Sequence, residues 1–307
     1  MEKYDVVIVG AGAAGMTAAI YTCRKKLKTL VISADVGGQA LLTDHIENYP
    51  GYEAISGPDL MSKFQMQAIK FGAELITGRV TDITKKGKSF SVELSSKDKY
   101  DAKTVILASG KTPRKLGIPG EDKFMGKGVA TCATCDAPLF GDKVVAVIGG
   151  GNSALEAAEL LNDFAKKIYL VHRREEFRAD EVTINKVKKM KKVEILTNAV
   201  PKEVNGDKFV DSLILEDGKE LKVDGVFIEI GYELDTGWLS KLVKLNKQGE
   251  IIVDGGTNTS QKGIFAAGDV STVPYKQAVI SAGEGAKAGL EVYKHIKGEA
   301  VVIDWDK

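Results

Sequence analysis

The chain has 307 residues, more than one domain usually contains, which favours two domains that each bury a core of their own. Lysine and arginine number 43 against 42 aspartate and glutamate residues, and the formal charge of +1 excludes a general electrostatic attraction to nucleic acid or to an anionic membrane. The chain is 44% hydrophobic and contains 33 glycines, a composition that argues against disorder and is typical of a globular α/β protein with many tight turns.

The first predicted element is a buried parallel strand, because residues 4–9 (YDVVIV) form a continuous apolar run of strand length. This run leads directly into a Gly-x-Gly-x-x-Gly sequence and then into a predicted helix over residues 16–24. Free N–H groups at such a turn can hold a pyrophosphate; Gly10 would make the turn, Gly12 would let the ligand approach and Gly15 would let the helix pack closely. A glycine-rich turn without a ligand is the alternative.

The second predicted strand (TLVIS) ends at Ser33, and Asp35 follows two residues later. Dinucleotide-binding folds usually end this strand at an acidic residue that binds a ribose hydroxyl, so the pattern is imperfect here. Turn signals follow at residues 37–39 (GGQ) and 47–51 (ENYPG). Residues 104–110 (TVILASG) predict a further buried strand that ends at small residues, where a nucleotide has room to approach.

The strongest chemical signal is the sequence CATCD, which places Cys132 and Cys135 two residues apart with Asp136 directly behind them. Such a pair can close a small disulfide, and its thiolate is stabilised when the pair opens a helix. Packing in a core and half of a zinc site are the alternatives, but zinc normally takes four ligands. The remaining cysteine and the histidines are distant in sequence and lack ligand spacing: Cys23, His45, His172 and His295.

The opening unit is repeated later in the chain. Residues 144–148 (VVAVI) predict a buried strand, residues 149–154 (GGGNSA) a glycine turn, and residues 155–164 a helix. Residues 225–231 (GVFIEIG) then take the place that residues 104–110 take in the first unit. This internal duplication favours two nucleotide sites over two chance glycine turns.

The second strand of the repeated unit ends in His172-Arg173-Arg174 where an acid would normally stand. Arginines at this position accommodate a 2′-phosphate and therefore favour NADPH over NADH. A solvated charged face is the alternative, since Arg178 and two glutamates lie in the same run. The basic stretch over residues 181–192 is predicted to be a helix with a solvated face and without a ligand.

Near the C-terminus, residues 263–270 (GIFAAGDV) predict a short apolar strand that ends at Gly268-Asp269. In a flavoprotein such an aspartate meets a ribityl hydroxyl; in another protein it is a strand end. A helix of small residues is predicted over 280–295.

Seven motifs in this order (GAGAAG, GGQ, ENYPG, CATCD, GGGNSA, HRREEFR and GIFAAGDV) resemble the bacterial and archaeal low-molecular-weight thioredoxin reductases over nearly the whole chain. The position of the cysteine pair inside the second nucleotide domain distinguishes this family from the glutathione-reductase type. The resemblance implies an α/β fold with two Rossmann-like dinucleotide-binding domains, the second inserted into the first. Residues 1–113 and 235–307 would form the FAD-binding domain, and residues 114–234 the NADPH-binding domain.

The resemblance also implies the cofactor contacts. The positions that match the FAD site are Gly10, Gly12, Ala14, Gly15, Ser33, Gly37, Gly38, Gln39, Asn48, Ala108, Gly110, Gly268, Asp269, Gln277 and Ala278. The positions that match the NADPH site are Gly149, Gly151, Asn152, Ser153, His172, Arg173, Arg174, Arg178 and Gly231.

By the same resemblance, NADPH reduces FAD, FAD reduces the Cys132–Cys135 disulfide, and the dithiol reduces thioredoxin by exchange. Cys135 would face the flavin, Cys132 would attack the partner, and Asp136 would protonate the departing thiolate. The inserted domain would rotate between the two half-reactions about linkers near residues 111–114 and 231–236. Relatives are typically homodimers. Another disulfide protein as partner, ferredoxin or deazaflavin as donor, and a redox sensor are the alternatives.

No apolar run approaches the length needed to span a bilayer, and the N-terminus enters a strand without a signal peptide. Three cysteines exclude a disulfide scaffold and leave Cys23 as core packing. We therefore expect a soluble, cytoplasmic oxidoreductase without a metal.

Overall fold

The computed structural model describes residues 3–43 and 46–298. The helices are α1 (Ala13–Arg24), α2 (Gly57–Lys70), α3 (Ala133–Asp136), α4 (Asn152–Leu161), α5 (Glu181–Val187) and α6 (Ala278–Lys297). The strands are β1 (Lys3–Ala11), β2 (Thr29–Val36), β3 (Glu74–Thr77), β4 (Val80–Lys86), β5 (Ser89–Leu94), β6 (Lys99–Leu107), β7 (Thr112–Pro113), β8 (Val129–Ala130), β9 (Val144–Ile148), β10 (Lys167–Val171), β11 (Val193–Leu196), β12 (Pro201–Gly206), β13 (Val210–Leu215), β14 (Glu220–Lys222), β15 (Gly225–Ile228), β16 (Tyr232–Glu233) and β17 (Ile264–Ala266).

The chain divides into two compact units. Unit 1 comprises the described residues of 1–41, 49–112 and 234–307, and unit 2 comprises those of 42–48 and 113–233. Along the chain, residues 42–48 of unit 2 thus lie between the first two segments of unit 1, and its long segment lies between the second and the third. Its long segment begins at Pro113, within β7, and ends at Glu233, the last residue of β16; these two short strands form a two-stranded sheet.

Unit 1 is built on a seven-stranded sheet with the strand order β3-β2-β1-β6-β5-β4. Strands β1, β2, β3 and β6 run parallel, and β17 adds to the second half of β6 in the same direction. In the register, Val9 lies beside Ile32 on one side and Leu107 on the other, so the carboxyl ends of three parallel strands meet at one edge. The glycine turn after β1 begins at this edge.

Helices α1 and α6 of unit 1 pack closely because α6 presents glycine where the two backbones meet. A methyl group at Gly285 would lie 2.0 Å from the Ala14 carbonyl oxygen, and one at Gly289 would lie 2.8 Å from the Tyr21 Cβ. Helix α6 ends where Gly298 adopts the left-handed conformation, with a φ of 71°. The predicted helix of small residues is therefore present, and its small residues serve packing.

Unit 2 contains a five-stranded parallel sheet with the order β11-β10-β9-β15-β8. A three-stranded antiparallel sheet, β12-β13-β14, lies between β11 and β15 in sequence. The central strands β9 and β15 are buried along nearly their whole length, as the continuous apolar runs predict. The α/β fold class with two Rossmann-like dinucleotide-binding folds, the second inserted into the first, is confirmed.

One predicted element is shorter than expected. The helix predicted over residues 181–192 ends at Val187, and Lys188 and Lys189 lie in a turn. Lysines at helical spacing repel one another, and Val193 must pair with Ile168 in the sheet, so the backbone leaves the helix before the lysine run is complete. Within the described residues, no helix combines the length and the apolar character needed to cross a membrane.

Candidate functional site

The glycines of the first turn, between β1 and α1, serve two different purposes. Gly10 has a φ of +108°, and a methyl group there would lie 2.3 Å from the Ala108 carbonyl oxygen. A methyl group at Gly15 would lie 1.9 Å from the Gly10 oxygen, so these two positions are fixed by protein packing. A methyl group at Gly12 would meet only the Gly37 oxygen, at 3.9 Å. Gly12 therefore borders open space, and no side chain caps the helix that begins after it.

A second glycine pair faces this turn. Gly37 and Gly38 both have positive φ, at +129° and +58°, and a methyl group at Gly38 would lie 3.7 Å from the Gly12 Cα. The Gly38 N–H donates to Asp35 Oδ1 over 3.1 Å, which fixes the turn. Asp35 thus supports the backbone beside the opening, at the place where sequence patterns place a ribose ligand.

Asp269 links the C-terminal segment of unit 1 to this region. Gln39 Nε2 donates to Asp269 Oδ2 over 2.9 Å, and Ser281 Oγ donates to Oδ1 over 3.3 Å. A methyl group at Gly268 would lie 2.9 Å from the Ala14 Cβ, so the Gly268-Asp269 turn rests on the start of α1. Residues far apart in the sequence are thereby brought together around one glycine turn.

The other positions predicted for FAD are spread over unit 1, with one exception. Ser33 is half-buried on β2, Ala108 is buried after β6, and Gly110 has a φ of +65° with open space around it. Asn48 is exposed and falls in unit 2 with residues 42–48. Gln277 and Ala278 are the N-cap and the first residue of α6. All fifteen positions remain predictions as cofactor contacts.

The second glycine turn, between β9 and α4, repeats the geometry of the first. Gly149 has a φ of +153°, and a methyl group there would lie 2.3 Å from the Glu229 carbonyl oxygen. Gly151 has nothing within 4 Å of an added methyl group and precedes a helix without a side-chain cap. Asn152 is tied to Asp180, since its Oδ1 accepts from the Asp180 N–H over 2.9 Å and its Nδ2 donates to the carboxylate over 3.0 Å.

These two turns meet the physical requirements of a dinucleotide site. Each offers an uncapped helix N-terminus with free N–H groups and a glycine that borders open space, at Gly12 and at Gly151. Uncapped N–H groups and the helix dipole attract a pyrophosphate. Ser153 follows within the first turn of α4 and is exposed, whereas Gly231 lies after β15 and accepts through its carbonyl from the Arg114 N–H over 3.0 Å.

The predicted phosphate-binding run after β10 divides into one buried histidine and exposed arginines. The His172 ring covers Gly150, where a methyl group would lie 2.2 Å from the ring. It stacks on Phe177 with 5.2 Å between ring centroids. The exposed side chains are Arg173, Arg174 and Arg178, and none of them has a carboxylate partner within 4.0 Å among the described residues.

His172 differs electrostatically from its neighbours. Burial lowers its pKa below the ordinary value, and the charges of Arg174, Arg173 and Arg178 lower it further, while a 3.0 Å contact of its Nε2 with the Glu176 carbonyl oxygen raises it. The imidazole is therefore neutral at pH 7. The positive charge that this run offers at pH 7 therefore comes from the three arginines, whereas the histidine ring packs against Gly150 and Phe177.

Cys132 and Cys135 form a disulfide at the start of the short helix α3. Cys132 is the N-cap residue, and its sulfur accepts from the Cys135 N–H over 3.2 Å. This N–H is placed to stabilise a thiolate on Cys132 after the disulfide is reduced. Cys23, by contrast, is a buried free thiol whose pKa is raised by burial. The pair at α3 is therefore the reactive one.

Asp136 is buried at the end of α3 and lines a cavity of about 350 Å³ in unit 2. The apolar wall of this cavity includes Leu139, Phe140 and Phe209, and Phe209 is 66% exposed. A carboxyl group in this position, next to the redox pair in sequence, is suited to exchange a proton with a thiol.

Two residues at the redox pair were not singled out in the sequence. Glu229 Oε1 accepts from the Ala133 N–H over 3.2 Å, and Tyr232 Oη donates to the Thr131 carbonyl oxygen over 2.9 Å. An acidic residue directly after the buried run GVFI was the available signal for Glu229, because such a run leads an acid to the carboxyl edge of the sheet.

Among the described residues, no group of three or more histidine, cysteine, aspartate or glutamate side chains is placed to hold a metal ion. His45, considered as a zinc ligand, lies outside the described residues.

Known proteins resemble this chain over nearly its whole length. The chain is 40% identical over 305 residues to the bifunctional thioredoxin reductase/thioredoxin of Mycobacterium leprae, covering 97% of this chain and 67% of that protein. It is 42% identical over 301 residues to one subunit of the alkyl hydroperoxide reductase of Staphylococcus aureus, covering 96% of this chain and 59% of that protein. The chain thus spans about three-fifths to two-thirds of the length of these relatives.

A solved structure extends the comparison to the fold. The crystal structure of thioredoxin reductase from Streptococcus pyogenes has a TM-score of 0.93 to this chain at 39% sequence identity, and the match covers 97% of this chain and 99% of that one. Residues 4–285 match the family described as pyridine nucleotide-disulphide oxidoreductase. The chain therefore belongs to the pyridine nucleotide-disulphide oxidoreductase family, in the group of low-molecular-weight thioredoxin reductases that its motifs resemble.

Proposed function

We propose that the chain is a thioredoxin-disulfide reductase that depends on NADPH and FAD. The observation that carries the proposal is the Cys132–Cys135 disulfide at the start of α3, in the same unit as the second glycine turn. The family implies an oxidoreductase with a flavin and a pyridine nucleotide. Relatives named thioredoxin reductase support thioredoxin as the partner, and the exposed arginines support NADPH as the donor.

In this proposal each unit holds one cofactor. Unit 1 holds FAD at the open face of Gly12 and Gly38, with Asp269 beside the turn. Unit 2 holds NADPH at Gly151, with Arg173 and Arg174 at the 2′-phosphate. When bound, the two cofactors supply the two electrons that reduce the disulfide.

The remaining chemistry belongs to the cysteines. Reduction of the disulfide takes up two electrons and two protons and yields two thiols. The Cys132 thiol passes its proton to Asp136, and its thiolate attacks one sulfur of the partner disulfide, which forms a mixed disulfide and releases the other partner sulfur as a thiolate that takes this proton from Asp136. The Cys135 thiol then loses its proton as its sulfur attacks the Cys132 sulfur, which restores the internal disulfide and releases the second partner sulfur, to which that proton passes.

Rotation of unit 2 between half-reactions is part of the proposal. The chain segments that join the long part of unit 2 to unit 1 lie at β7 and β16, which pair with each other in a two-stranded sheet. A hinge requires a few residues at the ends of elements to absorb a change of backbone angles. Gly231, with a φ of +94° and open space around it, offers such a position beside β16.

The proposal is tested by anaerobic titration of the purified flavoprotein with NADPH, followed by addition of thioredoxin, with the flavin absorbance recorded throughout. We expect bleaching by NADPH and recovery with thioredoxin. Cys132→Ser and Cys135→Ser should keep the bleaching and lose thioredoxin turnover by at least about 10³-fold, because thiol–disulfide exchange requires both sulfurs. Cys23→Ala is the matched control and should behave as the parent does.

The outcomes separate the alternatives. No bleaching by NADPH, but bleaching by reduced ferredoxin or a reduced deazaflavin, would reject NADPH as the donor. Bleaching by NADPH without recovery by thioredoxin would reject the partner. The similarity to a subunit of alkyl hydroperoxide reductase makes a peroxidase disulfide the second candidate, so a peroxidase of that system is tested beside thioredoxin. Bleaching without turnover of any disulfide would favour a redox sensor.

A further inference from the structure

Glu229 joins the central sheet of unit 2 to the redox helix. It follows β15 directly and is half-buried. Its carboxylate accepts from the N–H of Ala133, the residue after Cys132 and the first residue of α3. A single side chain thus connects the end of a buried strand to the backbone at the reactive cysteine.

The backbone of Glu229 is itself fixed. Its N–H donates to the Ile148 carbonyl oxygen over 2.8 Å, and its carbonyl oxygen lies against Gly149, where a methyl group would come within 2.3 Å. Tyr232, three residues later, donates to the Thr131 carbonyl oxygen. The segment 229–232 therefore holds the residues on both sides of Cys132, at Thr131 and at Ala133.

The charge of Glu229 has a definite effect on the cysteine pair. A helix N-terminus stabilises a thiolate because its free N–H groups carry partial positive charge. Here the Ala133 N–H is bound to a carboxylate, which leaves the Cys135 N–H as the donor to the Cys132 sulfur. Because the Glu229 carboxylate binds the N–H of the residue after Cys132, it lies near the Cys132 sulfur and repels a negative charge there. The disulfide carries no charge and does not feel this repulsion.

We propose that Glu229 is a positioning residue that holds the redox helix in place and, through its charge, keeps the Cys132–Cys135 dithiol strongly reducing. This rests on the proposed function in so far as the pair is the redox centre. Reduction converts the disulfide, two electrons and two protons into two thiols, and loss of one proton gives the Cys132 thiolate. Glu229 destabilises that thiolate form and so shifts the equilibrium towards the disulfide.

The other charged groups near the cysteine pair are the same in the parent and in the Glu229 variants. Asp136 lies on α3, Lys143 and Asp224 line the same cavity as Asp136, and Arg114 pairs with Glu233 beside β16. The informative variant is Glu229→Gln, which keeps an oxygen to accept from the Ala133 N–H and removes the charge.

The experiment uses the flavin-loaded protein with Cys23→Ala, so that Cys132 and Cys135 are the thiols measured. The fraction of reduced pair is determined in glutathione and dithiothreitol redox buffers by alkylation and mass spectrometry. The thiol pKa is determined from the pH dependence of iodoacetamide alkylation of the reduced protein. Glu233→Gln, which removes an equal charge from an exposed side chain, and Tyr232→Phe, which removes the Thr131 hydrogen bond without a change of charge, are the matched controls.

We expect Glu229→Gln to lower the apparent pKa of the attacking thiol by about 0.5 to 1 unit, since it removes a nearby like charge. Above that pKa, a fall of one unit makes reduction of the disulfide tenfold more favourable, and the potential rises by about 30 mV. Both controls should leave the thiol pKa and the potential as in the parent.

An unchanged or raised thiol pKa in Glu229→Gln, or an equal effect of Tyr232→Phe, would overturn the proposal. Glu229→Asp keeps the charge and should stay close to the parent, which preserves the test if the glutamine variant fails to fold. Neither readout uses thioredoxin or NADPH, so failure of this proposal is distinct from failure of the proposed function.

Discussion

Equivalent residues of the two glycine turns face different local constraints. Gly10 and Gly149 both lie against the carbonyl oxygen of a residue after a neighbouring strand, at Ala108 and at Glu229. Gly15 cannot carry a methyl group because the Gly10 oxygen occupies the place, whereas Ala154, at the matching position, is fully buried. Both units therefore require the glycine turn itself, whereas the residue at the third glycine position of the pattern, Gly15 or Ala154, depends on local packing.

The exposed arginines after β10 lead to a prediction about cofactor choice. Replacement of Arg173 and Arg174 by glutamine should lower kcat/KM for NADPH by about 10- to 100-fold and leave kcat/KM for NADH nearly unchanged, because only NADPH offers a 2′-phosphate to a charge-assisted hydrogen bond. Steady-state kinetics with both donors measures this ratio. Replacement of Lys188 and Lys189 by glutamine removes the same charge elsewhere on unit 2 and should alter neither value. Equal losses for NADPH and NADH would contradict the assignment.

Among the elements, the pair α1 and α6 shows how packing supports the first glycine turn, where the proposed function places FAD. Helix α6 carries glycine at 285 and 289, where it meets α1, and the Gly268-Asp269 turn rests on Ala14 at the start of α1. The position of α1 fixes the glycine turn before it. Contacts between these helices therefore help to determine the geometry around Gly12.

Substitution within α6 tests this packing. Gly285→Ala should reduce the free energy of unfolding of unit 1 by about 1 to 3 kcal/mol, because its methyl group would overlap the Ala14 carbonyl oxygen and force the helices apart. Gly283→Ala, two residues earlier on the exposed side of α6, has free space and should stabilise by up to about 1 kcal/mol. Urea denaturation compares the two when it is followed by the fluorescence of Trp238, which lies in unit 1, in a background that carries Trp305→Phe. Equal effects would exclude close helix packing as the reason for Gly285.

For the whole molecule, the important feature is that the long segment of unit 2 lies between two segments of unit 1 along the chain, with β7 and β16 paired at its two ends. In the proposed function, the dithiol takes electrons from a flavin and delivers them to another protein, so it must meet two different partners. The proposed rotation about β7 and β16 satisfies this requirement.

Single-molecule energy transfer tests the rotation. Fluorophores on Lys63→Cys in unit 1 and Lys208→Cys in unit 2, both exposed, should report two exchanging distance populations whose ratio changes when NADPH is added, because a ligand shifts such an equilibrium by its differential affinity. The labels are attached with the Cys132–Cys135 disulfide intact and with Cys23→Ala. Fluorophores at Lys63→Cys and Lys247→Cys, both in unit 1, should give one unchanging population. One population that does not respond to NADPH in the first pair would refute the rotation.

Local patterns were sufficient for the parallel strands next to the two glycine turns and for the turns themselves, but not for β3–β5 or β11–β14. The continuous apolar runs before Gly10 and Gly149 become β1 and β9, and the strand that leads into His172 becomes β10. These features depend on residues close together in the chain, so hydrophobic periodicity and glycine spacing are enough to predict them. The helix after Asp180 was overestimated because pairing of Val193 with Ile168 is a contact between distant residues.

The α/β class, the duplicated glycine turns, the cysteine pair and the resemblance that identifies the family could all be predicted from residue types at short, fixed spacing. Three features could be seen only in the fold: the His172 ring is buried while its neighbouring arginines are exposed, Asp269 meets Gln39, and Glu229 binds the backbone beside Cys132. Burial and hydrogen bonding depend on which strand ends and helices the fold brings to the same edge. The partners in these two hydrogen bonds lie 230 and 96 residues apart in the chain, beyond the reach of any local pattern.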